Sequence, residues 1–166
     1  TLSLHDALPI LLCTDGVAEF DLATQRFKTL LQGNVDAIYF NEKLYIGKRE
    51  EVFVYNESTG NFDLFYHLAG KNITLSCLHL DKNKNLWLGT TSNGIYCLSE
   101  DKNLSRPVTK GNITSIYEDS SNELWIGSWE EGLYRVKTDG SIENLRHNPM
   151  NTNSLCSNFV RSCCED

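Results

Sequence analysis

The sequence predicts an all-β protein, on three observations. The same short string recurs, as NLWLGTTSNGIY at 85–96 and as ELWIGSWEEGLY at 123–134. Apolar stretches of strand length are separated by polar or glycine-containing turn signals such as DSSN, SWEE and TDG. No segment shows the sustained period of 3.6 residues that an amphipathic helix requires. These features predict short antiparallel strands that recur as a unit.

The unit has the length of a β-propeller blade. Its copies are anchored on Leu44, Leu86 and Leu124, which are 42 and 38 residues apart. A second echo precedes each anchor, as NVDAIYF at 34, ITLSCLHLD at 73 and NITSIYED at 112. Four antiparallel strands in about 40 residues are typical of a blade. A single β-sandwich is the alternative, but it leaves the recurrence unexplained.

In the last full copy we predict four strands, labelled A to D, at 113–118, 123–127, 132–137 and 141–146. Along strand B, Leu124 and Ile126 face one side while Trp125 and Gly127 face the other, so neither side is polar. A blade that is sandwiched between two neighbours has this pattern, whereas a sheet with one wet face alternates. We therefore expect Trp87 and Trp125 to lie in separate, stacked sheets.

A complete propeller closes a ring of about 4–8 blades, so we expect a propeller fragment. It would contain about three full four-stranded blades plus partial blades at both ends. The predicted divisions are a partial blade at 11–33, blades at 34–70, 71–110 and 111–150, and the first strand of a truncated blade at 151–166. Residues 1–10 can be read back as ACT CTT TCC CTA CAC GAC GCT CTT CCG ATC, a sequencing adapter. We interpret them as non-native read-through.

The composition excludes several classes of partner. The chain has 15 basic and 22 acidic residues, a net charge of −7 and no cluster of Lys or Arg. This balance predicts no nucleic-acid partner and no attraction to an anionic membrane. No apolar run approaches the roughly 18 residues of a membrane span, so no direct membrane contact is expected in this segment.

No motif for catalysis or metal binding emerges. The six cysteines show no C-x-x-C spacing, so we interpret them as small core side chains, with a disulfide involving Cys77 or Cys97 left open. The string DKNKNLWLGTTS starts like a calcium loop at Asp81, but it has Leu86 where Gly is needed and Ser92 where Glu is needed. We predict no catalytic residue, no metal and no cofactor.

The variable parts of the repeat predict a ligand site. In a four-stranded blade the B–C loop and the D–A connection lie at the same end. The sequences of the three B–C loops are KREE, TTSN and SWEE. Diverse polar groups on one edge of a rigid scaffold are typical of binding sites. The candidate ligand-binding residues are Arg49, Asn93, Trp129, Glu130, Glu131 and His147. Trp129 would stack on a flat ligand such as a sugar ring; the alternative is that it packs on the next blade's loop.

The strings NITSIYEDSSNELWIGSWEEGLYRV and NPMNTNSLCSNFVRSCCED resemble the two-component regulator propeller repeat. The sequence departs from that pattern where Lys48 and Ser128 replace the Thr of L-W-I-G-T and Tyr45 replaces its Trp. The resemblance implies the periplasmic sensor region of a hybrid two-component histidine kinase. It also implies an oligosaccharide or other small-molecule ligand and a homodimer formed through the parent sensor.

The leading hypothesis is therefore a non-catalytic, ligand-sensing propeller. One alternative is an enzymatic propeller similar to streptogramin lyases, which a histidine and a carboxylate on adjacent rim loops would favour. In the sequence, only His147 is recognisable near the rim. Another alternative is a purely structural propeller that serves dimer formation.

Overall fold

The computed structural model describes residues 9–41, 43–68, 73–105 and 107–166. In these ranges the backbone forms fourteen β-strands and no helix, arranged in four antiparallel sheets. None of the described residues forms a helix long and apolar enough to cross a bilayer. The all-β prediction is confirmed. Most of the predicted adapter segment lies outside the described residues, and the first described strand begins at Ile10.

Each sheet is one blade, and we number the blades I to IV. Blade I contains β1 (Ile10–Cys13), β2 (Gly16–Asp21) and β3 (Arg26–Gln32). Blade II contains β4 (Ala37–Asn41), β5 (Lys43–Lys48), β6 (Glu51–Asn56) and β7 (Asn61–His67). Blade III contains β8 (Leu75–Leu80), β9 (Leu86–Thr90) and β10 (Ile95–Leu98). Blade IV contains β11 (Ile113–Glu118), β12 (Leu124–Ser128), β13 (Leu133–Val136) and β14 (Ile142–Leu145). Strands that are consecutive in a blade are neighbours in its sheet.

The strands of blade IV lie within one residue of their predicted bounds. Blade III differs, because its expected fourth strand is reduced to a single bridge between Leu98 and Leu104. Ser105 and Val108 still donate their N–H groups to the carbonyls of Cys97 and Ile95 in β10, but Pro107 between them has no N–H to donate, so no continuous ladder forms. Residues 151–166 have no assigned strand, and their role as the first strand of a further blade stays a prediction.

The core lies between the blades. In β9, Leu86 and Leu88 pack against blade II, whereas Trp87 packs against blade IV. Trp125 belongs to β12 in the next sheet, so the two tryptophan-bearing segments are separate, as predicted. Contacts from β4 to β8 and from β8 to β11 place the first strands of blades II to IV side by side at the inner edge. The propeller architecture is confirmed.

The glycine of the repeated string makes room for the next blade. A β-carbon on Gly89 would overlap the Sγ of Cys77 and would lie 3.0 Å from Cγ2 of Ile113, at the start of blade IV. A β-carbon on Gly47 would likewise lie 3.0 Å from Cδ1 of Leu75, at the start of blade III. Any larger residue therefore pushes two blades apart.

An aspartate closes the first turn of blades III and IV. Oδ2 of Asp81 accepts the indole N–H of Trp87 at 2.8 Å, and Oδ2 of Asp119 accepts that of Trp125 at the same distance. In blade III, Oδ1 of Asp81 also accepts the backbone N–H of Asn85 at 2.8 Å. The spacing of six residues from Asp to Trp, present in both copies, is the sequence signal for this bond. Asp81 is thus bonded within its own blade.

The glutamate that directly precedes Asp119 connects blade IV to blade III. The carboxylate of Glu118 in blade IV accepts the backbone N–H of Lys82 in blade III at 3.2 Å. Glu165, in the segment that follows blade IV, makes the equivalent contact, accepting the N–H of Ser120 at 2.8 Å. The bonds from Ser120 lower the pKa of Glu165 below its ordinary value. His79 adds an imidazole 3.7 Å from Glu118, and its burial lowers the pKa of the ring.

We expect Gly89→Ala to destabilise the chain by about 1–3 kcal/mol, because the new methyl overpacks the contact between blades III and IV. Urea unfolding followed by tryptophan fluorescence measures this change. Ser92→Ala, at an exposed loop position, is the control and should leave the midpoint unchanged. Adding Cys77→Ala should restore only part of the loss, since Ile113 still blocks the site. Wild-type stability in Gly89→Ala would contradict the packing described above.

Because the pKa of Asp119 is lowered in the folded chain, we expect the fold to lose stability in acid. The bond from the Trp125 indole, then that from the Glu123 N–H, lowers the pKa of Asp119 below its ordinary value of 3.8. Because the folded pKa is the lower one, this stabilisation is present above the ordinary value and is lost as pH falls through the folded pKa. The thermal midpoint should fall between about pH 5 and pH 3, and Asp119→Asn should fall less steeply.

Trp125→Phe is the matched variant for this pH measurement. It keeps Asp119 but removes the strongest cause of the lowered pKa. As the pH is lowered, its thermal midpoint should therefore fall less steeply than that of the wild type and more steeply than that of Asp119→Asn. Identical slopes in all three proteins would show that this aspartate does not contribute to the acid transition.

Candidate functional site

The loops that carry the predicted site meet at one end of the blades, as expected. We call this end the rim; it consists of the B–C loops 49–50, 91–94 and 129–132 and the connections 33–36, 107–112 and 146–158. Hydrogen bonds join the two kinds of segment. Gly94 donates its N–H to the carbonyl of Gly111 at 2.8 Å, and Trp129 donates its N–H to that of Asn112 at 2.9 Å.

A buried hydroxyl shapes two of the three B–C loops. Thr90 donates to the carbonyl of Gly94 at 2.7 Å and accepts the N–H of Asn93 at 2.9 Å. Ser128 makes the equivalent bonds, to the carbonyl of Gly132 at 2.8 Å and from the N–H of Glu131 at 2.9 Å. The departure from Thr to Ser at 128 therefore preserves the loop. Lys48 has no hydroxyl, and blade II turns through only two residues there.

The ring of Trp129 packs on a later segment of the chain, yet part of the ring remains exposed to solvent. Its ring packs on Phe159, with centroids 3.9 Å apart and planes tilted by 49°. The guanidinium of Arg161 lies 5.1 Å from the Phe159 ring on the same stack. Half of Trp129 remains exposed (50%). Both sequence interpretations thus have a structural counterpart, since the ring packs on following chain and also presents a free face.

Three of the six candidate residues surround the connection at 111–112. Trp129 bonds to Asn112, Asn93 forms a parallel bridge with Gly111, and the Cγ of Glu131 would lie 3.3 Å from a β-carbon at Gly111. The carboxylate of Glu131 is paired with Arg146, which also donates to the backbone carbonyl of Glu130 at 3.2 Å. These contacts hold the SWEE loop in one conformation.

The other candidates lie elsewhere on the rim. Arg49 is on the blade II loop, where its N–H donates to Oδ2 of Asp36 at 2.5 Å. His147 follows β14, the outermost strand of blade IV, and its Nδ1 donates to the carbonyl of Leu155 at 2.6 Å. That bond requires the tautomer with its proton on Nδ1. The backbone N–H of His147 also donates to Oδ1 of Asn158 at 2.7 Å, and Asn158 directly precedes the Phe159 that packs on Trp129.

The sequence interpretation missed a second rim histidine. Nε2 of His67 lies 3.4 Å from Oε1 of Glu50, which belongs to the B–C loop of blade II. Leu68 donates its N–H to the carbonyl of Glu50 at 2.9 Å, which brings the end of β7 to the same loop. Only the paired register of β6 and β7 reveals this proximity, because the two residues are 17 positions apart. The rim thus contains one histidine–carboxylate pair among its described residues.

The cysteines occupy two kinds of environment, and all six are free thiols. Cys77 and Cys97 pack against the core between blades III and IV. Burial raises the pKa of Cys77 to about 12 and that of Cys97 to about 11, which suppresses the reactive thiolate. Cys13, Cys156 and Cys164 are exposed. The expectation of core thiols is wrong for these three, because they lie on an edge strand, a loop and an unpaired segment.

Two clefts open at the end opposite the rim, each between two neighbouring blades. One, of 380 Å³, lies between blades II and III and is lined by Tyr45 and Phe65. The other, of 260 Å³, lies between blades III and IV and is lined by Asp81 and Trp87. The described clefts are therefore distinct from the predicted ligand site.

The fold and the rim define a β-propeller of repeated blades with a variable polar edge. The family model described as "Two component regulator propeller" matches residues 67–92 and 107–130, so these two segments are similar to that repeat and the expected resemblance is confirmed. No curated protein matches the chain in sequence.

Solved structures show the same fold. One extracellular domain, described as that of a hybrid two component system from B. thetaiotaomicron, is 22% identical with a TM-score of 0.76, over 97% of this chain and 23% of its own. Another from the same organism is 19% identical with a TM-score of 0.75, over 92% of this chain and 23% of its own. A virginiamycin B lyase from Staphylococcus aureus is 15% identical with a TM-score of 0.63, over 78% of this chain and 48% of its own. The chain spans less than a quarter of the two extracellular domains.

We expect Ser128→Ala to destabilise the chain by about 1–3 kcal/mol, because it leaves the bonds to Glu131 and Gly132 unmade in a fully buried position. Ser128→Thr should retain stability, since Thr90 makes the same bonds in blade III. Thermal unfolding of both variants tests the difference. Equal midpoints for Ala and Thr would rule out a structural role for the hydroxyl.

Proposed function

We propose that this chain is part of an extracytoplasmic, ligand-sensing propeller that binds an oligosaccharide or a similar small molecule at the rim. The observation that carries the proposal is the half-exposed ring of Trp129, which packs on Phe159. Glu131 and Asn93 lie against Gly111, in the connection to which Trp129 is hydrogen-bonded. An exposed aromatic face stacks on the apolar face of a sugar ring, while carboxylate and amide groups bond its hydroxyls. The similarity to extracellular domains of two component systems supports a periplasmic location for the parent protein.

Sensing would work through differential binding. A ligand that contacts both the SWEE loop and the segment carrying Phe159 favours the arrangement in which those parts are packed together. The bound state would then differ from the free state in how blade IV meets the chain that follows it. In this proposal the parent protein is a membrane-bound histidine kinase that acts as a homodimer, and the propeller has no catalytic role.

A titration with an oligosaccharide panel, followed by isothermal calorimetry, tests the proposal. Trp129→Ala should weaken binding about 30-fold, the loss of roughly 2 kcal/mol expected for a central aromatic contact. Phe27→Ala is the matched control, because Phe27 is an exposed aromatic residue (67%) in blade I. Binding that is equally strong in Trp129→Ala, or the absence of binding to every glycan, would refute the proposed ligand site.

A specific observation also favours the enzymatic alternative. The pair of His67 and Glu50 is a histidine next to a carboxylate at the rim, an arrangement that can transfer a proton. The fold is shared with virginiamycin B lyase. Turnover of a streptogramin by the chain, abolished by His67→Ala and preserved in Trp129→Ala, would support the enzyme over the sensor. If neither ligand nor substrate is found but the parent protein dimerises through these blades, the structural alternative stands.

A further inference from the structure

The cleft between blades II and III has the size and lining of a ligand site. Its volume of 380 Å³ falls within the roughly 300–1,000 Å³ typical of small-molecule pockets. Phe65, Leu86 and Leu98 form an apolar wall, and turns at the end opposite the rim contribute charged side chains. The cleft therefore offers an apolar surface beside a polar opening.

Tyr45 gives this cleft an unused hydrogen-bond donor. In blades III and IV the equivalent ring is a tryptophan whose N–H is taken by Asp81 or Asp119. Blade II has Tyr45 instead, and its hydroxyl makes no hydrogen bond to any described residue, although the residue is only 8% exposed. Its ring is fixed edge-on against Phe65, with centroids 5.5 Å apart. The hydroxyl is not among the described polar atoms buried without a partner, so it faces the open cleft, where a ligand acceptor can take the place of water.

The charges around the opening favour an anion. Three lysines and one glutamate line the cleft, in a chain whose net charge is −7. Glu100 pairs with Lys84 at 3.4 Å, and Lys102 lies 4.8 Å over the Phe65 ring. Lys43 has no ion pair with a described acidic residue. At least one ammonium group is thus available for a ligand, next to a hydroxyl donor.

We propose that the cleft between blades II and III binds a small organic anion with an apolar ring. Its ring lies on Phe65 and Leu98, and its carboxylate or similar group contacts Lys43 and accepts a hydrogen bond from Tyr45. This site is at the opposite end of the blades from the rim and is independent of the function proposed there.

The neighbouring cleft provides an internal comparison. It occupies the equivalent position between blades III and IV, but its aromatic N–H is already bonded and Asp81 and Glu118 line it. An anion entering it meets two carboxylates, no free indole donor and one lysine, Lys137, which is paired with Glu143. The replacement of Trp by Tyr in blade II, together with the surrounding lysines, therefore distinguishes one cleft from its structural equivalent.

Nuclear magnetic resonance with isotope-labelled full chain tests the proposal. The probe is 3-phenylpropionate, and its neutral isostere 3-phenylpropan-1-ol is the control ligand. The carboxylate should shift the resonances of residues 43–46 and 98–102, and the alcohol should bind several-fold more weakly. Tyr45→Phe should weaken carboxylate binding about tenfold and Lys43→Gln several-fold. Lys110→Gln, which changes an exposed lysine on the rim, should leave it unchanged.

Two further measurements test the proposal: the stability of Tyr45→Phe and the binding of the probe to a rim variant. Tyr45→Phe removes a hydroxyl without a partner, so its urea midpoint should equal or exceed that of the wild type. Trp129→Ala should not alter probe binding, which separates this site from the rim. Equal affinity for the alcohol and the carboxylate would overturn the proposal. So would the absence of shifts at the cleft, or unchanged binding in Tyr45→Phe and Lys43→Gln.

Discussion

The structure depends on burying both faces of each inner blade against its neighbours. β9 shows this most clearly, since its leucines pack against blade II and Trp87 packs against blade IV. A single blade of this kind would expose an apolar surface on each side and could not be stable alone. The apolar string L-W-x-G is therefore constrained by two interfaces at once. Its glycine is the point where the next blade comes closest.

The polar groups of the repeat serve the same stacking. Asp81 and Asp119 hold the tryptophan rings of their own blades, and Glu118 reaches back to the turn of the preceding one. In blade IV, the adjacent residues Glu118 and Asp119 thus link a turn, a ring and the preceding blade. Where blade II lacks the aspartate and has Tyr45, the ring keeps its packing but its hydroxyl is left over. A repeat that tolerates this change acquires a polar group in a cleft.

The two ends of the blades consequently differ in chemistry. At the rim, buried hydroxyls of Thr90 and Ser128 fix the loop backbone while the loop side chains vary. A fixed loop backbone with variable side chains suits ligand recognition, because a rigid loop loses little conformational entropy on binding. At the opposite end, variation lies in the residues that face the inter-blade clefts. A repeat protein can therefore carry different sites on one scaffold without altering its core.

The sequence by itself determined the repeat, the strand positions in blade IV and the placement of variable loops at one end. These follow from local patterns, in which side-chain alternation and turn residues act over a few positions. It did not reveal that Phe159 supports Trp129, that His67 meets Glu50, or that Tyr45 lines a cleft with lysines from another blade. Contacts of this kind join residues as far apart as the 48 positions between Tyr117 and Glu165. They arise only when the blades stack, and no local pattern specifies which side chains then face each other.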